Sequence, residues 1–230
     1  MELLSFGDTG WGDELLRATF MTILVALTAF IFGFLVSILI VPLKISNKKI
    51  LNYLGNTYTT IFRGVPELLV IYLLFFGGSS AVMFVAKIFG YKEFIEINAF
   101  LTGSVSIGLI SGAYTTEVLR GAIDSINIGQ FEGAKSLGLK KTTYYVFVIA
   151  PQVLRLSLPN LSNVWQLTLK DTALISVTGL VEIMRQSYIA SGATRNPLLF
   201  YCFAAFLYLI LTTISLKYFN KLEKKFNLHS

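Results

Sequence analysis

Long apolar stretches alternate with short polar ones along the 230 residues, at about 15–43, 57–86, 97–119, 145–169 and 197–218. Each is long enough, against the roughly 20 residues needed, to carry an α-helix across the hydrocarbon core of a bilayer. The pattern predicts an all-α integral membrane protein with five transmembrane helices in one domain spanning 1–230. Pro42 closes the first stretch, and Lys44, Lys48 and Lys49 follow in a short loop. The second begins after Asn56 and is interrupted by Arg63-Gly64-Val65-Pro66-Glu67 and by Gly77-Gly78. The fourth contains Pro151 and Pro159, and 170–196 is mixed in character. Between the third and fourth lies a polar island, Gln130 to Gly138, running on through Lys140-Lys141 to Ala150-Pro151.

Composition and charge refine this. With 54% hydrophobic and 14% charged residues the chain is no ordinary soluble domain. The net charge of +6 does not point to nucleic acid, because the basic residues gather at the ends of apolar stretches, as membrane orientation requires. Five spans put the termini on opposite sides. One side then holds Lys44, Lys48, Lys49, Arg120, Lys135, Lys140, Lys141, Lys217, Lys221, Lys224 and Lys225; the other holds Arg17, Lys87, Lys92, Lys170, Arg185 and Arg195. Positive residues stay in the cytoplasm, so the expectation is an external N-terminus with the polar island and the C-terminus inside. Glu2, Asp8, Asp13 and Glu14 precede the first stretch, unlike a cleavable signal peptide. Cys202 is the only cysteine, so an intramolecular disulfide is ruled out.

The sequence holds no phosphate loop of the G-x-x-x-x-G-K-[ST] type, and no cluster of His, Cys and carboxylates with metal spacing. Its single histidine, His229, is not placed to activate a serine. Catalysis, ATP binding and a metal site are therefore not expected of this chain.

Inside the spans, the third is rich in small residues: Thr102, Gly103, Ser104, Ser106, Gly108, Ser111, Gly112 and Ala113. Gly108 and Gly112 form a G-x-x-x-G pair that permits close helix packing, and the same residues could flank a pathway. Ionisable residues within spans need partners or a water-filled cavity. Glu117 and Arg120 are spaced to neutralise each other, whereas Arg63 and Glu67 are separated by Gly64 and Pro66 and form either a pair or a turn. Asn163, Gln166 and Lys170 fall on one helical face, which should meet a cavity or a partner helix rather than lipid. In the island, Ile128, Phe131 and Ala134 recur every third residue, as apolar anchors of a helix lying in another protein's groove would. Gly133 and Ala134 are small, and Gly138 suits a helix end.

Gln130 to Pro151 resembles the signature of the membrane subunits of bacterial ABC importers: Glu-Ala-Ala, three residues, Gly, nine residues, Ile, one residue, Leu-Pro. Glu132, Ala134, Gly138 and Pro151 match, while Gly133, Val148 and Ala150 depart from the usual residues. The Arg63–Glu67 turn, the Gly112–Gly121 stretch and the Asn-x-Trp-Gln-x3-Lys-x-Thr-Ala-Leu run at Asn163–Leu174 are similar to those of polar amino-acid permeases of the histidine and arginine type. The resemblance implies the type I ABC importer permease fold, an ATP-driven amino-acid transport function and a bacterial inner-membrane location. It implies a coupling helix at about 128–138, with Phe131, Glu132, Gly133, Ala134, Gly138 and Pro151 serving the ATPase. Asn163, Gln166, Lys170, Thr172, Glu67 and Ser111 become candidates for the substrate pathway, and Gly108 and Gly112 for helix packing. Implied partners are ATPase subunits that bind the ATP and Mg2+, a second permease subunit, a solute-binding protein outside, a polar amino acid and membrane lipid. An ATP-independent channel or secondary carrier is the alternative; its marks would be an ion filter, an inverted repeat or several mid-span carboxylates.

Overall fold

In the computed structural model, residues 2–7, 10–90 and 98–227 are described, with helices as their regular structure. Asp8, Lys92 and His229 lie outside the described residues. The helices are α1 (Gly12–Lys44), α2 (Lys49–Gly64), α3 (Glu67–Tyr72), α4 (Gly78–Ile88), α5 (Ala99–Asp124), α6 (Ile128–Ser136), α7 (Lys141–Tyr144), α8 (Ala150–Asp171), α9 (Ile183–Thr194) and α10 (Pro197–Asn227). A π turn at Leu73–Gly77 joins α3 to α4, and a second at Tyr145–Ile149 joins α7 to α8.

Helix α1 is the axis of the packing. Its buried positions include Leu15, Ala18, Thr22, Val25, Ala26, Ala29, Gly33, Ser37 and Val41, a stripe at helical spacing made mostly of small residues. Small side chains let neighbours come close where lipid supplies no hydrophobic drive between helices. Along this stripe Val25 and Ala29 pack with Ile71, Ile107 and Ile175, while Ala26 packs with Trp165 and Leu169. Farther toward each end, Leu15 meets Ala190 and Phe200, and Val41 meets Leu119, Tyr144 and Val153.

Among the described residues three helices are long and apolar enough to cross a membrane: Gly12–Lys44, Glu67–Ile88 and Pro197–Phe226. Helices α5 and α8 are less apolar because they turn polar and small residues inward, Ser104, Ser106, Thr115 and Thr116 from α5 and Ser157, Ser162 and Thr168 from α8. Some of these hydroxyls bond the carbonyl of the preceding turn, as Thr116 does to Gly112 and Thr168 to Val164, whereas those of Ser104 and Thr115 are buried without a partner among the described residues.

The second stretch departs from its sequence reading. What reads as a lysine loop followed by one span from Asn56 is a separate helix, α2, a break at Val65–Pro66, and the rod Glu67–Ile88. The cause is an inverted amphipathic pattern: α2 turns its polar side inward. The Asn52 amide donates to the Lys44 carbonyl, Tyr58 donates to the Leu109 carbonyl at 2.7 Å, and Thr59 is buried, while Ile50, Tyr53, Leu54 and Ile61 face outward.

Candidate functional site

Asn127 caps α6 by accepting the Gly129 N–H at 2.8 Å. At the other end the Gly138 N–H donates to Lys135 O and the Leu139 N–H to Ala134 O. That pair of bonds closes a helix through a left-handed residue, and Gly138 has φ +69°. The island thus forms a nine-residue helix ending at Ser136, two residues before its sequence-based limit.

Its faces are not those the sequence suggests. Phe131 lies edge-on to Tyr144 and Tyr145, and Ala134 is buried with Val41, Leu119, Ala122, Ile126, Ile149 and Val153. These two apolar positions seat α6 on its own chain. Outward it shows Glu132, Gly133, Lys135, Ile128 at 71% exposure and, just past its end, Leu137 at 78%. The every-third-residue set is therefore split, with Phe131 and Ala134 on the inner face and Ile128 outward, and the apolar residues available to another protein are Ile128 and Leu137. Pro151 stands in the first turn of α8, directly after the π turn, and Gln152 reaches the Gln130 side chain at 3.3 Å. A proline there lacks the N–H that a regular helix would bond, and the wider turn before it accommodates the loss.

A charged cluster joins the ends of α1, α2 and α5. Glu117, 19% exposed, accepts from Lys44 Nζ, from Arg120 Nε at 3.0 Å and faces Arg63 Nη1 at 3.6 Å. Lys44 is only 8% exposed and also donates to Thr59 Oγ1 at 2.6 Å; Arg120 extends to Asp124 at 2.7 Å. Glu117 and Arg120 do neutralise each other, and Lys44, a loop charge by the sequence pattern, is instead the last residue of α1 and part of the same cluster. Arg63 does not turn to Glu67; it stands over the Tyr114 ring at 5.3 Å and toward Glu117.

On α8, Asn163 and Lys170 are exposed and Gln166 half-buried, on the same side as exposed Asn160 and Leu167. Asn160 and Leu156 border an open cleft with Glu117, Val118 and Gly121 of α5 and with Ser125 just past its end. At its far end α8 brings Asp171 near enough to Glu67, at the start of α3, for their charges to repel, with Tyr114 close to both. Two pathway candidates lie elsewhere. Thr172 is buried against Tyr208, its hydroxyl 3.1 Å from the phenol, and Ser111 is buried against α1 with its hydroxyl toward the Ala29 and Gly108 carbonyls. Both hydroxyls are taken up by interhelical packing. The same crossing holds Gly108 and Gly112: a Cβ on Gly112 would come within 2.9 Å of the Gly33 carbonyl oxygen, and one on Gly108 within 2.9 Å of the Ala29 carbonyl oxygen.

Glu182 has no counterpart among the sequence-based candidates. Fully buried, it caps α9 by accepting the Met184 and Arg185 N–H groups at 2.9 and 2.8 Å, and Tyr208 donates to it at 3.1 Å. Thr22 of α1 accepts the neighbouring Ile183 N–H at 3.2 Å, so the knot ties α1, α9 and α10 together. A glutamate is not among the favoured capping residues, which is why the mixed 170–196 segment concealed it.

Comparison with known proteins fits this arrangement. The octopine transport system permease protein OccQ of Rhizobium meliloti is 46% identical over 225 residues, covering 98% of this chain and 95% of its own length. The arginine ABC transporter permease protein ArtQ of Haemophilus influenzae is 34% identical over 209 residues, 91% of each. The crystal structure of an amino acid ABC transporter with histidines superposes with a TM-score of 0.79 at 27% identity, covering 94% of this chain and 95% of that one. The family model for the inner membrane component of binding-protein-dependent transport systems matches residues 29–226. With α6 seated between α5 and α7–α8, and with that match across nearly the whole chain, the protein belongs to the binding-protein-dependent transport system inner membrane component family, the permease subunits of ABC importers.

Proposed function

We propose that this chain is the membrane-spanning subunit of an ATP-driven importer of polar amino acids in a bacterial inner membrane. It crosses five times, through α1, the Glu67–Ile88 rod, α5, α8 and α10, with its N-terminus outside and α6 and the C-terminus in the cytoplasm. It pairs with a second permease subunit, receives solute from a binding protein outside, and docks on ATPase subunits that hold the ATP and Mg2+. Names given to relatives, octopine and arginine transport permeases, support a polar amino-acid class of substrate.

The observation that carries the proposal is the seat of α6. Phe131 and Ala134 are embedded in one cluster with Val41 of α1, Leu119 and Ala122 of α5 and Val153 of α8. A push on Ile128, Glu132, Gly133 or Leu137 from outside the chain is passed to the ends of three helices at once. Close-packed apolar contacts transmit such displacement because they have little free volume to absorb it. Asn163, Gln166 and Lys170, with the cleft between α5 and α8, border the pathway, and Glu67 and Asp171 stand at the far end of α8. ATP closing the ATPase pair then biases two arrangements of the spans, a population shift by a ligand on a partner.

The test is uptake in proteoliposomes containing the permease, its ATPase and its binding protein, with a panel of amino acids. Uptake that requires ATP and all three components is expected; solute flux through the purified permease alone would overturn the proposal in favour of a channel or carrier.

A further inference from the structure

Helix α10 does not stop where its apolar stretch does. Residues 197–216 contain no charged side chain, and at about 1.5 Å per residue they cover about 30 Å, the thickness of the hydrocarbon core. The helix then runs on to Asn227 and carries Lys217, Lys221, Lys224 and Lys225, all exposed. At roughly 100° per residue these four fall within an arc of about 100°. Followed back along the helix, that arc holds the exposed Leu199, Phe206, Ile210 and Ile214, with Phe203 and Leu207 between them half-buried against the chain's own core. Glu223, the one acid of α10, lies on another side, bordering a cavity with Gln152, Arg155 and Pro159. Among the described residues none of the four lysines has an ion-pair partner.

We propose that this lysine stripe is a binding surface for the phosphate headgroups of anionic phospholipids in the leaflet at the C-terminal end of α10. The inference rests on reading α10 as a membrane span with its C-terminus in the cytoplasm. An acyl chain lying along Leu199, Phe206, Ile210 and Ile214 ends at the level of Lys217, where its headgroup begins. Lys217 and Lys221 reach the headgroup layer, their stems lying along apolar surface and their ammonium groups at the phosphates. Lys224 and Lys225 stand about 10–12 Å beyond Lys217 along the axis, near the limit over which salt still lets a charge be felt. The inner pair therefore dominates and the outer pair adds a weaker attraction. Scattered lysines at a helix end would satisfy orientation alone; four on the lipid-facing arc, with the acid turned away, also select lipid by charge.

The experiment uses the assembled importer in bilayer nanodiscs of phosphatidylcholine and phosphatidylglycerol, extracted gently and analysed for retained lipid. The expected result is enrichment of phosphatidylglycerol that falls about fivefold or more in a variant with Lys217, Lys221, Lys224 and Lys225 all changed to Gln. Changing the four to Arg should keep the enrichment, and high salt should reduce it. Equal enrichment in the Gln and wild-type proteins overturns the proposal. Loss of the ATPase subunit from the Gln variant with lipid enrichment unchanged also overturns it, assigning the stripe to protein docking. Thiol labelling of a C202A/K225C variant from each side checks the orientation independently. Labelling from outside alone would sink the cytoplasmic reading whatever the lipid result.

Discussion

Glu117 shows how one carboxylate can be worth more than its own pairings. It answers Lys44, Arg120 and Arg63 from three helices, and Lys44 is almost wholly out of water. Removing one partner of a buried pair leaves the other uncompensated, which costs about 3–5 kcal/mol in well-buried cases. Because Glu117 keeps 19% exposure and Arg63 and Arg120 are about two-fifths exposed, the expected loss for Glu117→Leu is smaller, about 2–3 kcal/mol. A thermal melt of the purified protein in detergent measures it. Adding Lys44→Met should recover part of the loss, since the stranded ammonium group is gone. If the double variant is no more stable than Glu117→Leu alone, the buried lysine is not what Glu117 holds in place.

At the scale of elements, α6 separates two kinds of residue that the sequence pattern merges. Phe131→Ala removes a ring packed against Tyr144 and Tyr145 and should lower stability by about 2–3 kcal/mol. Leu137→Asp changes an exposed residue, so it should leave the melting temperature within about a degree while abolishing co-purification of the ATPase. Equal effects of the two on stability would show that the outer face is not free for docking. The crossing of α1 and α5 makes a parallel contrast. Gly112→Ala presses a methyl group against the Gly33 backbone and should destabilise by about 1–3 kcal/mol. Gly192→Ala, on α9 with open space around it, should stabilise by about 0.5–1 kcal/mol through backbone entropy; thermal melts of the two single variants decide it. The apolar spans, the polar island and the Gly108–Gly112 spacing were legible because each is a local pattern. Helix α2 was not, since its polar side faces the protein and its apolar side faces outward, reversing the pattern that marks a buried face. The inward seating of Phe131 and Ala134, the pairing of Lys44 and the place of Glu182 in the packing were hidden for a related reason. Each depends on residues distant in sequence: Tyr144, Glu117 and Tyr208.

Across the whole molecule, the distribution of charge along the proposed pathway makes a prediction about what passes through it. Glu67 and Asp171 come from helices distant in sequence and lie near enough to act on each other and on Tyr114, whose ring Arg63 covers from its place beside Glu117. Two nearby carboxylates repel, and beyond Lys170 and Arg63 a further cation beside them eases that repulsion. A solute with a cationic side chain supplies that cation during passage, and a neutral one does not. Replacing both acids by their amides, Glu67→Gln with Asp171→Asn, removes the charge while keeping the shape. The ratio of uptake of arginine to that of glutamine should then fall about tenfold, the equivalent of roughly 1.4 kcal/mol, a modest value for a partly hydrated charge contact. Competition between the two amino acids in proteoliposomes measures the ratio, with the same binding protein supplying both. A matched loss of both substrates would mean that the two acids hold the helices rather than greet the solute. A loss confined to arginine would place selection inside the membrane as well as at the binding protein.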